Sequence, residues 1–187
     1  MGIFVVFAIV EGIMSTKTEV RNSVKIVLLN DKNELLLMGT DDQNIKNVNG
    51  EYKGRFWQLI GGKIEENETI METAKRELFE ETSINSKDVE FGPIIWHGEL
   101  NLLMNNIQTT INQKFIVARL KTNVNLSLKH LTKEEKRTVT ELKWFSLKEI
   151  EDSKEIIYPG VLPIYLKQLL DGNIPDSSLK IDLAKMK

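Results

Sequence analysis

The sequence predicts a single α/β or α+β domain, and three observations carry that prediction. Runs with the two-residue alternation of strands and runs with the 3.6-residue period of a helix are interleaved along the chain rather than segregated. At 187 residues the chain suits one compact domain with a sizeable core, since the buried share of the surface rises with length; two full domains would be cramped. Its 41% hydrophobic and 28% charged residues, with 11 Gly and 4 Pro, exclude a disordered or collagen-like chain. There is no internal repeat at a solenoid period.

Taken in order, Val24-Lys25-Ile26-Val27-Leu28-Leu29 and Glu34-Leu35-Leu36-Leu37-Met38 flank Asn30-Asp31-Lys32-Asn33 and read as a β-hairpin. Asp41 to Arg55 is polar, contains Gly50 and Gly54, and reads as a loop. Phe56 to Ile60 is a short strand ending at Gly61-Gly62. A helix covers Ile70 to Thr82, because Thr69 and Glu72 form a Thr-x-x-Glu capping box in which each side chain satisfies the other's backbone N–H. Strands within Val89 to Met104 and Thr109 to Leu120 meet across Asn105-Asn106 as a second hairpin. Lys121 to Arg137 reads as a long polar loop, Val139 to Phe145 as a strand, Leu147 to Asp152 as a short helix, and Val161 to Leu170 as a helix preceded by Pro159-Gly160. The tail after Asp171 is polar enough to be poorly ordered.

Charge and cysteine content narrow the function classes. With 25 Lys+Arg against 27 Asp+Glu the net charge is −2, so no global positive field favours nucleic-acid backbone, and DNA duplex binding is not expected. A local basic patch is still compatible with that balance. Zero cysteines exclude disulfides, thiolate metal sites and thiol nucleophiles, which fits a reducing, cytoplasmic location. The apolar run Ile3 to Val10 is too short to span a bilayer, which needs about 20 residues, and lacks the basic start and cleavage pattern of a signal peptide. Val6 stands where a myristoylation motif needs Ser or Thr. The run is expected either to dock as an edge strand or to precede a shorter protein starting at Met14, and no membrane partner is expected. Residues 1–20 thus form an extension or edge strand, 21–170 the domain, and 171–187 a polar tail.

One segment stands apart. Between Glu65 and Glu81 there are seven glutamates (65, 66, 68, 72, 77, 80, 81) against Lys75 and Arg76, a balance of −5 that leaves +3 on the remaining residues. On a helix Glu77, Glu80 and Glu81 share a face and repel by a few tenths of a kcal/mol per pair. A charge run is ordinarily a solvated face. A hard divalent cation would offset the repulsion, since Mg²⁺ takes oxygen ligands and bridges carboxylates to phosphates.

The run Gly62-x5-Glu68-x7-Arg76-Glu77-Leu78-x-Glu80-Glu81 resembles the signature G-x5-E-x7-R-E-U-x-E-E-x-G-U of the Nudix hydrolases, a MutT-like family, with U aliphatic. Every required position is filled except the second glycine, where Ser83 stands before the aliphatic Ile84. Trp57-Gln58-Leu59-Ile60-Gly61-Gly62 looks like the family's W-x-L-P-G-G approach with Ile60 replacing Pro, and Trp144 to Ile150 resembles a late strand-to-helix segment. The resemblance covers Arg21 to Leu170.

The resemblance implies an α/β/α sandwich with a central mixed sheet and the motif as loop-helix-loop. It implies Mg²⁺- or Mn²⁺-dependent hydrolysis of a nucleoside diphosphate linked to another group X, so the expected partner is a small-molecule nucleotide or polyphosphate; a homodimer is admitted but not required. Glu77, Glu80 and Glu81 would bind metal with the Gly61 carbonyl, and Gly62, Glu68 and Arg76 would brace the motif through a Glu68–Arg76 salt bridge. For the base that activates water, Glu134 and Glu135 are candidates, with Glu141 behind them. Among aromatics, Trp57 is the first candidate for stacking a base, with Phe56, Trp96 and Trp144; all four sit at strand positions, where core packing is the ordinary role. Arg55 and Lys63, with Arg21, Lys25 and Lys53, are candidate phosphate contacts. His97 is expected to pack beside Trp96 and His130 to be solvated. Ser83 is expected in a left-handed conformation costing on the order of 1 kcal/mol, so that Ser83→Gly is neutral or stabilising. The alternative is a nucleotide-binding or regulatory module on the same fold without turnover. Isoprenyl diphosphate isomerisation would need a cysteine.

Overall fold

The structure, a computed structural model, describes residues 18–185; the readings for residues 1–13 lie outside them. Strands β1 (Thr18–Leu29) and β2 (Leu35–Thr40) form the first hairpin. Its turn closes because Asn30 Oδ1 accepts the N–H groups of Lys32 and Glu34 at 3.0 and 2.9 Å, while Asn33 takes the left-handed φ of 60° that Asn tolerates. The expected loop 41–55 contains one short strand, β3 (Ile45–Lys46), whose Ile45 pairs with Met104. Next come β4 (Phe56–Leu59) and α1 (Ile70–Thr82), the helix with the bounds its capping box predicts. β5 (Val89–Met104) and β6 (Ile107–Leu120) are joined by Asn105-Asn106, both at positive φ, as a two-residue hairpin turn requires. The chain continues through α2 (Glu135–Thr138), β7 (Val139–Phe145), α3 (Leu147–Asp152), β8 (Ile156–Tyr158), α4 (Leu162–Leu170) and β9 (Leu179–Lys180).

The described strands make one mixed sheet in the order β3-β5-β6-β1-β2-β4-β8, with β7 also paired to β2 and β9 to β5. β1 runs parallel to β6 along its whole length, while β5 and β6 are antiparallel. Alternation along β1 divides the core. Val24, Ile26 and Leu28 pack with Ala74 and Leu78 of α1, whereas Val27 and Leu29 pack with Leu162, Leu166 and Leu169 of α4. The sheet is therefore covered by helices on both faces, the expected α/β/α arrangement. Each buried Leu or Ile contributes about 1.5–3 kcal/mol by leaving water, far more than the few tenths that each carboxylate pair on α1 costs.

One strand is absent from the sequence reading, and one sequence expectation is corrected. β8 pairs in parallel with β4, yet its three residues are too few to show periodicity. The tail after Asp171 is not a loose end: Leu179 pairs with Trp96, the Ile181 N–H donates to the His97 carbonyl at 2.8 Å, and Ile181 and Leu183 are buried. Two apolar residues spaced by Asp182 suffice to dock a segment whose average composition is polar.

Candidate active site

The turn preceding α1 is built onto β1. Ile26 N–H donates to Ile60 O at 2.9 Å and Val24 N–H to Gly62 O at 3.0 Å, so the Ile60-Gly61-Gly62 backbone is stitched along the strand. Space requires a glycine at 61, and Gly62 makes room for a side chain. Gly61 has φ of 122°, and a Cβ there would meet the Val24 carbonyl oxygen at 2.2 Å; at Gly62 a Cβ would fall 2.4 Å from Glu77 Oε1. The second contact shows what Gly62 is for, since the Glu77 carboxylate lies directly against it.

Arg76 holds the motif together. Its Nε and Nη2 donate to the two oxygens of Glu68 at 2.7 and 2.8 Å, Nη1 donates to Glu77 and Glu80 at 2.8 and 3.1 Å, and Nη2 also reaches the Lys63 carbonyl at 3.1 Å. Bidentate geometry of this kind suits a guanidinium and not an ammonium. Thr73 Oγ1 adds a 2.8 Å bond to Glu68, and the Arg76 bond foremost holds the Glu68 carboxyl down at about 2.

Along α1, Glu77 and Glu81 are one turn apart and both buried, with 6% and 3% of their surface exposed. Burial raises the pKa of Glu77 and pushes that of Glu81 up to about 8. Glu81 accepts the Gly61 N–H at 2.6 Å, while Lys25 Nζ donates to the Gly61 carbonyl at 2.6 Å and to Leu59 O and Gln58 Oε1, each at 3.1 Å. Burial lowers the Lys25 pKa. Arg76 and Lys25 thus offset the carboxylate repulsion that the sequence leaves unbalanced. The Gly61 carbonyl, expected to face a metal, is occupied by the Lys25 ammonium.

Carboxylate oxygens of Glu77, Glu81 and Glu135 lie within 4.8 Å of one another. Glu135 is aimed there by its own turn, in which the Thr132 N–H donates to Glu135 Oε2 at 2.8 Å. Three carboxylates at that separation, two of them dehydrated, form an oxygen donor set suited to a hard divalent cation. Glu80 and Glu134 line the same cavity but stand outside this trio, Glu80 held by Arg76 and Glu134 exposed.

The cavity encloses about 710 Å³, a size that fits a nucleotide-sized ligand. Lys63, Arg21, Lys25 and Lys53 line it as expected. Trp57 and Arg55 do not, and their assignment is corrected. Trp57 is 2% exposed, set edge-on to Phe145 at 4.8 Å in the core with its Nε1 donating to Glu155, and Arg55 stacks on the outer side of its ring while pairing with Glu141 at 2.6 Å. Alternation along β4 turns Phe56 and Gln58 to the cavity instead; Phe56 meets Tyr158 edge-on at 5.4 Å. Tyr158, Leu100 and Leu183 also line it and carry no local sequence signal. Trp96 and Trp144 pack on the two cores.

His130 is not simply solvated. It stacks on Phe79 at 4.3 Å, and its Nδ1 lies 3.3 Å from Ser83 Oγ, which also donates to Ser127 O at 2.8 Å. Ser83 does adopt the left-handed conformation (φ 63°). Its hydroxyl ties the 121–137 segment, and with it Glu135, to the end of α1, a contact glycine could not make.

A family model described as the NUDIX domain matches residues 19–164. Solved structures with a similar fold include a MutT protein from Methanosarcina mazei (23% identity, TM-score 0.54, covering 86% of this chain and 100% of that one). An Ap4A hydrolase from C. elegans matches with 20% identity and TM-score 0.53, covering 80% of this chain and 98% of that one. An ADP-ribose pyrophosphatase from Streptococcus suis matches with 14% identity and TM-score 0.52, covering 86% and 98%.

Proposed function

The chain belongs to the NUDIX-domain family, hydrolases of phosphorus-containing anhydrides, and from that premise we propose that it cuts the pyrophosphate bond of a nucleoside diphosphate linked to another group, using Mg²⁺ or Mn²⁺. The observation that carries the proposal is the convergence of Glu77, Glu81 and Glu135 at one end of a cavity of nucleotide size. A divalent cation bound there would neutralise the diphosphate and lower the pKa of bound water enough to supply hydroxide. Glu77, Glu81 and Glu135 would hold it, and Glu135, or the neighbouring Glu134, would take the proton from the attacking water. Glu80, held by Arg76, and the Gly61 carbonyl, taken by Lys25, would join the donor set only on release from those partners. Lys25, Arg21 and Lys63, which line the cavity, would meet the phosphates, and in such transfers positioning and charge stabilisation supply most of the rate. The names of the similar structures, MutT, Ap4A hydrolase and ADP-ribose pyrophosphatase, favour a small nucleotide substrate. A cytoplasmic location accords with the absence of cysteine.

A binding module without turnover accords poorly with two buried, mutually repelling carboxylates. The test is a screen of nucleoside triphosphates, dinucleoside polyphosphates, nucleotide sugars, ADP-ribose and capped RNA with Mg²⁺, comparing wild type with Glu81→Gln. Hydrolysis by wild type that falls sharply in the variant supports the proposal. Equal activity would refute the role of the motif carboxylates, and no hydrolysis at all would favour the binding module.

A further inference from the structure

The floor of the cavity is one face of three paired strands. Register places Lys25 of β1 beside Phe115 of β6, and Phe115 beside Trp96 of β5; two residues along, Ser23, Gln113 and Gly98 form the next row. Crossing from Lys25 or Ser23 to Gly98 spans two inter-strand steps, about 10 Å. The near end of this floor carries Lys25 and meets the carboxylates. At the far end Gly98 contributes no side chain of its own.

What covers Gly98 is the C-terminal segment, which lies beyond the residues matched by the family model. A Cβ at residue 98 would meet the Ile181 carbonyl at 2.6 Å and the Leu183 side chain at 2.7 Å, so the glycine is the seat on which the segment rests. Three further contacts fix the register: Leu179 paired with Trp96, Ile181 N–H on His97 O at 2.8 Å, and His97 Nδ1 with Ser178 Oγ at 2.9 Å. Leu183 is 2% exposed, lines the cavity, and belongs to the same core cluster as Phe115.

We infer that the segment Ser178–Leu183 is the far wall of the substrate cavity and that Leu183 sets how deep an aromatic group it accepts. The reasoning rests on the proposed nucleotide substrate. With the diphosphate at the carboxylate and Lys25 end, the base extends across the floor toward an apolar stop, and the depth of that stop decides which bases fit.

The test measures binding without turnover. α,β-Methylene ADP and its guanine, cytosine and uracil counterparts, an N6-benzyl α,β-methylene ADP and inorganic tripolyphosphate are titrated calorimetrically with Mg²⁺ into wild type, Leu183→Ala and Leu183→Phe. Opposite volume changes should give opposite results. Leu183→Ala should bind the benzyl derivative at least tenfold better relative to its parent than wild type does. Leu183→Phe should weaken the best-bound base at least tenfold, and tripolyphosphate should bind all three proteins alike. Independently of any variant, the Leu183 methyl resonances of wild type should shift with the methylene nucleotides and not with tripolyphosphate. Unchanged ratios with unmoved methyl resonances, or wild type binding tripolyphosphate but no nucleotide, would overturn the inference. Binding as expected by a protein that hydrolyses none of the corresponding nucleotides would leave the wall in place and reject the proposed hydrolysis.

Discussion

The two ends of the cavity are built by different means. At the carboxylate end, Gly62, Glu68, Arg76, Glu77 and Glu81 sit within twenty residues of one another, and their contacts follow from helix spacing and a single loop. At the apolar end, Leu100, Phe115 and Leu183 come from two strands and the C-terminal segment and meet only when the sheet forms. The first end is built on a local device that carries charge, to which β1 brings Lys25 and the 121–137 segment brings Glu135. The second is a product of long-range pairing that carries shape.

If that division is right, changes at the first end should remove chemistry, and changes at the second should alter choice of ligand. The largest effect is expected for Glu81→Gln, which removes a charge from the trio while keeping its volume. Hydrolysis of the best substrate from the screen should fall on the order of 10³-fold, about 4 kcal/mol of barrier, with the fold intact by circular dichroism. Next is Gly61→Ala, where a methyl group would collide with the Val24 backbone at a left-handed φ; thermal unfolding should show at least about 2 kcal/mol lost. Arg76→Lys follows, because an ammonium cannot reproduce the fork that spans Glu68, Glu77 and Glu80; activity should drop roughly 10–100-fold while the helix remains.

The pH dependence of stability has two opposed parts. Glu81 is raised from an ordinary 4.5 to about 8, so the folded form holds its proton more tightly than the unfolded chain. Its contribution is full below pH 4.5 and is lost as pH rises through about 8. Glu68, held at about 2, contributes above pH 4.5 and loses that contribution as pH falls toward 2. In chelator-treated protein, melting temperature should therefore decline from pH 5 to pH 9, and Glu81→Gln should flatten that decline. The smallest effect is expected for Ser83→Gly. Relief of left-handed strain, about 1 kcal/mol, and loss of the hydroxyl bond to Ser127, also about 1 kcal/mol, nearly cancel, so unfolding in urea should move by less than about 0.5 kcal/mol.

The same contrast explains what could be read before any coordinates. The bounds of α1 follow from Thr69 and Glu72, and both hairpin turns from their Asn residues, because those signals act over three or four residues. The glutamates of α1 are legible for the same reason. Trp57 and Phe56 show the limit: adjacent residues of one strand face opposite ways, and nothing local says which face meets the ligand. Tyr158 and Leu183 act through pairings with Gln58 and across Gly98, 100 and 85 residues away, for which a single sequence carries no spacing rule. Lys25 was visible as a cation, but its lodging on the Gly61 carbonyl depends on the turn being stitched to β1.

The central claim is that Glu77, Glu81 and Glu135 together hold the divalent cation, and Mn²⁺ binding followed by electron paramagnetic resonance tests it most directly. Wild type at pH 8 should bind Mn²⁺ at a site that Glu81→Gln weakens at least tenfold and Glu135→Gln weakens as well, with both variants folded. Mn²⁺ bound equally tightly by all three proteins would contradict the claim.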